Sequence, residues 1–152
     1  MREHAFNRVI WAARRAGRAL NAAKEQQLRP LDLPASHYSL LAAIAFNSGA
    51  TGAEIARELG VSPQNVASLS ARLEQRGLLK RRAHPRHRHV LEVLITPEGE
   101  ELLSAADLAM IELEKSITAT LGEADAETLR ALLERLADGL EDRQGKGKRG
   151  QA

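Results

Sequence analysis

The chain has 152 residues, with 22 Lys and Arg, 20 Asp and Glu, 5 His and no Cys. This length suits one domain with its own core, and the missing cysteines exclude disulfides, thiolate metal sites and cysteine redox chemistry. No apolar run approaches the roughly 20 residues of a membrane span, and the first residues lack the apolar stretch of a secretory signal. We therefore expect a cytoplasmic protein that does not cross a membrane.

The net charge of +2 conceals an uneven distribution of charge. Residues 1–89 carry 15 Lys and Arg against 6 Asp and Glu, residues 90–142 carry 3 against 14, and residues 143–152 carry 4 against none. The three segments are therefore +9, −11 and +4. Such a split indicates that the first segment prefers a polyanion and that the second repels one.

Helical periodicity dominates the start of the chain. Apolar or small residues recur at steps of three and four between Phe6 and Leu20, which predicts a first helix over about 4–27. Pro30 and Pro34 end it, because proline lacks an amide donor and restricts the residue before it. A second helix is predicted over about 35–47.

Two capping patterns predict the next helices. Thr51 followed by Glu54 forms a capping box, which predicts a short third helix that ends at Gly60. Ser62-Pro63 supplies a hydroxyl cap and a proline at the first helical position. A fourth helix is therefore predicted from Ser62-Pro63 to about Arg76.

Two short strands and two longer helices complete the prediction. Residues 78–82 and 90–95 are typical of strands joined by a basic linker. A long helix follows to about Leu121, and a last helix covers about 125–142. The tail 143–152 is almost without apolar residues, so we expect it to be disordered.

The order of helix, short helix, tight turn, helix and hairpin over residues 36–96 is that of a winged helix-turn-helix. The predicted fold is mainly α with a small β-hairpin wing, flanked by dimerisation helices. The fourth helix would enter the major groove of DNA, where Gln or Asn amides can pair with adenine and Arg can neutralise phosphates. A polar helix face or a basic loop alone is more often only solvated, and their combination favours DNA binding. The candidate DNA-binding residues are Thr51, Ser62, Gln64, Asn65, Ala67, Ser68, Arg72, Arg86 and Arg88.

Three stretches carry a family resemblance: Glu54–Ser62 (EIARELGVS), Leu73–Arg81 (LEQRGLLKR) and Ile95–Gly99 (ITPEG). With the residues around them they resemble the MarR family of bacterial transcription regulators. The resemblance implies a homodimer that binds pseudo-palindromic double-stranded DNA as a ligand-responsive repressor. It implies a dimerisation region over 1–32 and 97–142, and a DNA-binding domain over 33–96.

The chain departs from the family pattern at three places. Pro34 stands where the family usually has a capping Thr, and His37 stands where it usually has a Gln. In the wing, the tract His84-Pro-Arg-His-Arg88 lacks the Asp that often precedes the tip arginine. A carboxylate that would orient Arg88 is therefore missing.

The four aromatic residues all lie in the first two predicted helices. Aromatic side chains at helical spacing usually belong to the core, whereas in the MarR family they can also line an effector pocket. The resemblance implies a small aromatic or organic-anion effector, and the candidate pocket residues are Trp11, Arg14, His37 and Tyr38.

Other functions find less support in the sequence. His84, His87 and His89 could hold a metal ion, but strand alternation sends neighbouring side chains to different faces and no acidic ligand is adjacent. Motifs of metalloproteases, phosphate loops and dinucleotide binding are missing, so we expect neither an enzyme nor a cofactor. A winged-helix module that binds protein rather than DNA stays an alternative.

Overall fold

The computed structural model describes residues 7–83, 85, 88–89 and 91–149, and of Leu91 and residues 143–149 it describes the backbone alone. The chain divides into two compact units, Met1–Ile111 and Glu112–Ala152. The described residues confirm a mainly α fold with one small antiparallel sheet. In chain order the elements are α1 (Val9–Leu28), a 3-10 turn (Arg29–Leu31), α2 (Ala35–Phe46), α3 (Gly52–Leu59), α4 (Pro63–Gln75), β1 (Leu79–Ala83), β2 (Leu91–Ile95), α5 (Pro97–Leu121) and α6 (Glu123–Arg149).

The predicted caps of α3 and α4 are confirmed. The Glu54 amide donates to Thr51 Oγ1 at 3.3 Å, and the Thr51 amide donates to the Glu54 carboxylate at 2.7 Å, which closes the capping box. Ser62 Oγ accepts from the Asn65 amide at 3.1 Å. Gly60 joins the two helices with a φ of 65°, a left-handed conformation that glycine adopts without strain.

At the start of α2, another residue replaces the hydrogen-bond acceptor that a capping threonine would provide. Pro34 occupies the cap position and its side chain offers no hydrogen-bond acceptor. The Ala35 amide instead donates to Glu25 Oε1, at 3.1 Å, on the last turns of α1. A side chain ten residues away therefore supplies the acceptor that the cap residue lacks.

The core of the first unit lies where α2, α3 and α4 meet the end of α1, both strands and the first half of α5. Its members are aliphatic, and α2 contributes the most of them because it is buried on several sides. The largest fully buried side chains are Leu28, Leu33, Leu40, Leu41, Ile55, Leu73 and Val66.

The sheet pairs β1 with β2 from Leu79 opposite Ile95 to Ala83 opposite Leu91. Both strands lie within one residue of their predicted bounds. Thr96 ties the end of the sheet to α5, since its hydroxyl donates to the Gly77 carbonyl at 2.6 Å and accepts from the Gly99 amide at 3.1 Å.

In the second unit α6 is longer than the sequence predicts. Its backbone continues past Asp142 to Arg149, so residues 143–149 are helical where a disordered tail was predicted, and residues 150–152 lie outside the described residues. Lysine, arginine and glutamine are good helix formers, and the stretch contains no proline to stop a helix that has already started. Near its start, Arg130 pairs with Glu127 and Glu134, both at 2.6 Å.

Within the described residues, no helix combines the length and the apolar character needed to cross a membrane.

Candidate nucleic-acid interface

Helix α4 presents a polar face to solvent at its N-terminal end. Val66, Ser70 and Leu73 are buried and fix the orientation of the helix against the core. Leu69 packs partly on the same core, and the polar residues on the other side of the helix are exposed. Five of the predicted DNA contacts lie on this exposed face: Gln64, Asn65, Ala67, Ser68 and Arg72.

The two remaining predicted contacts near α4 are both capping residues. Ser62 is exposed and Thr51 is half-buried, at the starts of α4 and α3. Each hydroxyl oxygen accepts a hydrogen bond from its own helix, which leaves the hydroxyl proton to donate. A phosphate oxygen is an acceptor, so capping and phosphate contact are compatible at both residues.

The wing contributes basic side chains, and sequence reasoning chose only those at its tip. Arg88 is exposed in a turn, whereas Arg86 lies outside the described residues. Strand β1 adds three cations that the sequence analysis did not single out, and the strand alternation could have sorted them by face. Arg81 pairs with Glu74 of α4 at 3.0 Å, and Arg82 pairs with Glu92 of β2.

His37 is buried on α2, within the electrostatic influence of Arg72 and Arg76 at the end of α4. Only 8% of its surface is exposed, and its Nδ1 finds no hydrogen-bond partner among the described residues. Burial, followed by the positive charges of Arg76 and Arg72, lowers the pKa of the imidazole from its ordinary value of 6.5. The neutral form is therefore favoured at this position.

Tyr38 is half-buried and bonded within its own unit. Its hydroxyl donates to Asp107 Oδ1 at 2.9 Å, which joins α2 to α5. Burial, together with this hydrogen bond and the carboxylate charge, raises the pKa of the phenol from 10.0 to about 12.

The four predicted pocket residues do not share one cavity. Trp11 and Arg14 lie on the first turns of α1, where the guanidinium carbon is 5.6 Å from the ring centre, within the range of a cation–π contact. Tyr38 and His37 lie near the far end of α1, roughly 20 Å along the helix at about 1.5 Å per residue. An open groove of about 640 Å³ surrounds Trp11, lined by Asn7, Arg8, Val9, Trp11, Ala12, Arg14, Arg15 and Arg18.

A metal centre finds no support in the part of the chain that is described. These residues contain no group of three or more His, Asp or Glu side chains arranged to hold an ion. Two members of the wing cluster, His84 and His87, lie outside the described residues, so the wing-histidine hypothesis stays a prediction.

Sequence comparison finds a family model that is similar to the helix-turn-helix region. Residues 31–88 match the model of the MarR family. A putative transcriptional regulatory protein for the hcr operon of Thauera aromatica is 29% identical over 99 residues. The match covers 65% of this chain and 60% of that protein, so the chain spans less than two thirds of the relative's length.

Solved structures share the fold over most of the chain. The transcriptional repressor CouR, bound to a 23-mer DNA duplex, superposes with a TM-score of 0.81 at 26% identity, covering 86% of this chain and 92% of CouR. Wild-type MarR of E. coli in its apo form gives a TM-score of 0.74 at 20% identity, covering 85% and 96%. The second likeness concerns the fold alone.

Proposed function

Because residues 31–88 match the MarR family model and the DNA-bound repressor CouR shares the fold, we propose that the chain is a MarR-family transcription regulator. In this proposal it binds double-stranded DNA as a homodimer and acts as a ligand-responsive repressor. The observation that carries this proposal is the exposed N-terminal face of α4. Its first turn presents two amide side chains, those of Gln64 and Asn65, and both are exposed to solvent. Amides at the start of a recognition helix can read adenine in the major groove, while hydroxyls and arginines hold phosphates.

The proposal of a homodimer rests on apolar side chains that each unit leaves exposed. In the first unit Val9 is 70% and Ile10 is 72% exposed, and Leu108 and Ile111 are also exposed. A protein with so many exposed aliphatic residues usually covers them by association. In the second unit α6 exposes Leu129, Leu132, Leu133, Leu136 and Leu140.

Charge supports a second copy as the partner. Four arginines line the groove at the start of α1, whereas residues 90–142 carry a net charge of −11. A two-fold dimer would present two copies of α4, and these must lie about 34 Å apart to enter successive major grooves. A ligand that prefers one spacing of these helices would change the affinity for DNA.

The effector class follows from the groove around Trp11. An indole ring beside several guanidinium groups suits a small aromatic or organic anion, because the ring stacks and the cations neutralise the charge. One helix lines the groove, so in this proposal the partner subunit supplies the opposite wall. Since Trp11 is the only tryptophan, its fluorescence should change when an aromatic acid binds and stay constant when none does.

Selection of bound sites from random duplex DNA tests DNA binding, symmetry and spacing together. We expect a pseudo-palindrome with half-sites one helical turn apart, and a log–log dependence of affinity on salt with a slope near −0.9 per neutralised phosphate. Sedimentation in the absence of DNA should give a dimer. Failure to select any site, or binding that salt does not weaken, would favour a winged-helix module that binds protein.

A further inference from the structure

The strands of the wing contain a buried acidic side chain, close to the loop that joins them. Glu92 lies on β2 directly opposite Arg82 on β1. The two side chains form an ion pair through the Arg82 Nε. The Glu92 side chain is only 4% exposed, whereas that of Arg82 is 59% exposed.

The Glu92 carboxylate lies between the wing and the turn that leads into α3. A Cβ atom placed on Gly49 would be 3.6 Å from Glu92 Oε2. Gly49 lies two residues before Thr51, the capping residue of α3 and a predicted DNA contact. One buried carboxylate therefore faces the wing strand on one side and the start of the helix-turn-helix on the other.

Because the Glu92 carboxylate is buried, its ion pair fixes the direction in which the Arg82 side chain points. A carboxylate removed from water is costly unless a cation and hydrogen bonds compensate it, so Arg82 is strongly favoured in the one arrangement that meets Glu92. The pair uses Nε, and within the described residues the two terminal nitrogens of Arg82 make no hydrogen bond. These nitrogens are left to bind an external anion, and a guanidinium suits phosphate geometry.

We propose that Glu92 is a positioning residue that holds Arg82 as a contact to the DNA phosphate backbone. This proposal rests on the proposed function of DNA binding. It supplies what the wing tip lacks, since no Asp precedes Arg88 to orient it. In this chain the oriented arginine lies on β1, one residue before its loop-side end, and its acidic partner comes from the opposite strand.

Arg81 provides a matched control on the same strand. It points to the opposite face of β1 and pairs with Glu74 of α4, with side chains 36% and 31% exposed. Substitution of either arginine removes one positive charge at almost the same place in the chain. The two differ in the direction of the side chain and in the burial of its partner.

The test measures the affinity for a duplex over a salt series for the wild type, Glu92→Gln, Arg82→Ala, the double variant and Arg81→Ala. Glu92→Gln should weaken binding to any duplex by about two- to tenfold per protomer, because Arg82 must then be ordered on binding. The double variant should also lose about 0.9 of the salt slope per protomer, and Arg81→Ala should keep the wild-type slope.

The sign of the Glu92→Gln effect separates positioning from simple repulsion. Removal of a negative charge near DNA should by itself tighten binding, and it should do so equally with and without Arg82. Tighter or unchanged binding by Glu92→Gln would therefore overturn the proposal, as would a double variant with the wild-type slope. If the wild type binds no duplex at all, the proposed function fails rather than this inference.

A second measurement does not depend on DNA. The Nε–H group of Arg82 should give a protected NMR signal in the wild type that exchanges rapidly with water in Glu92→Gln, while the signal of Arg81 stays unchanged. Thermal unfolding by circular dichroism identifies any variant that fails to fold. In that case the proposal is tested by two measurements: the salt slope of Arg82→Ala compared with that of the wild type, and the protection of the Nε–H group in the wild type. An unprotected Nε–H group of Arg82 would contradict the proposal.

Discussion

Gly99 on the first turn of α5 lies against the backbone of Leu78 so closely that it leaves no room for a side chain. A Cβ atom at Gly99 would be 2.3 Å from the Leu78 carbonyl oxygen and 2.7 Å from Ile95 Cγ1. Because one of these neighbours is backbone, the strand and the helix would have to separate. The sequence pattern Ile-Thr-Pro-Glu-Gly thus has a packing reason at its glycine.

We predict that Gly99→Ala lowers the free energy of unfolding by about 1–3 kcal/mol, the usual cost of overpacking. Urea denaturation followed by circular dichroism measures it. Gly52→Ala is the control, since a Cβ there would lie 3.9 Å from Val66 in ordinary contact. Equal stabilities of the two variants would contradict the steric argument.

The single tyrosine allows a direct test of its hydrogen bond. In the folded protein Tyr38 should ionise at about pH 12, because burial and Asp107 both disfavour the phenolate. Ultraviolet absorbance of the phenolate measures the midpoint. Asp107→Ala should lower it toward the ordinary value of 10.0. A wild-type midpoint of 10 in protein that is still folded would exclude the bond.

We expect His37 to make stability depend on pH. Its pKa is lowered in the folded state by burial and by Arg76 and Arg72, against the opposing charges of Glu25 and Asp32. Below pH 6.5 the unfolded chain therefore binds a proton that the folded protein resists. The stability should fall as the pH drops from about 7 to about 5.

Chemical denaturation at several pH values measures this effect, and His37→Gln is the comparison because glutamine carries no titrating group. The variant should show a smaller decrease than the wild type over the same pH range. Parallel curves would mean that His37 is protonated equally in both states.

For the recognition helix, we predict that Gln64→Ala or Asn65→Ala weakens binding to the selected site by about 1–3 kcal/mol and relaxes the preference at one base pair. Both side chains are exposed, so the unfolding free energy should stay the same. Fluorescence anisotropy with matched and mismatched duplexes measures the change. Gln75→Ala, exposed at the other end of α4, should bind like the wild type.

Features that depend on neighbouring residues in sequence were predictable, and features that depend on distant ones were not. The capping box at Thr51 and the proline start at Ser62-Pro63 are local, and both are confirmed. The acceptor that Glu25 provides to α2 spans ten residues and needs α1 to end at a particular angle. No local pattern contains that information.

The same distinction explains the candidate site. The residues of α4 that were chosen as candidate DNA contacts all lie on its exposed face. The pairing of Arg82 with Glu92 depends on the register of the two strands. The sequence predicted where each strand lies in the chain, but not which residues are opposite one another. The four pocket residues were grouped by residue type and by the family resemblance, and the length of α1 separates Trp11 from Tyr38. Composition likewise predicted disorder after Asp142, whereas the helix α6 continues to Arg149. Once a helix has formed, adding polar residues to its end needs no new nucleation.

The ion pairs of Arg130 with Glu127 and Glu134 bear on how two chains would meet. All three residues lie on α6, and their spacing of three and four residues favours the helix without any tertiary contact. A helix that is held by its own side chains presents its leucines already aligned. Two such chains would lose less conformational entropy on association than chains that must first fold their contact surface. We therefore expect the ion pairs of Arg130 to reduce slightly the cost of ordering α6 when the proposed dimer forms.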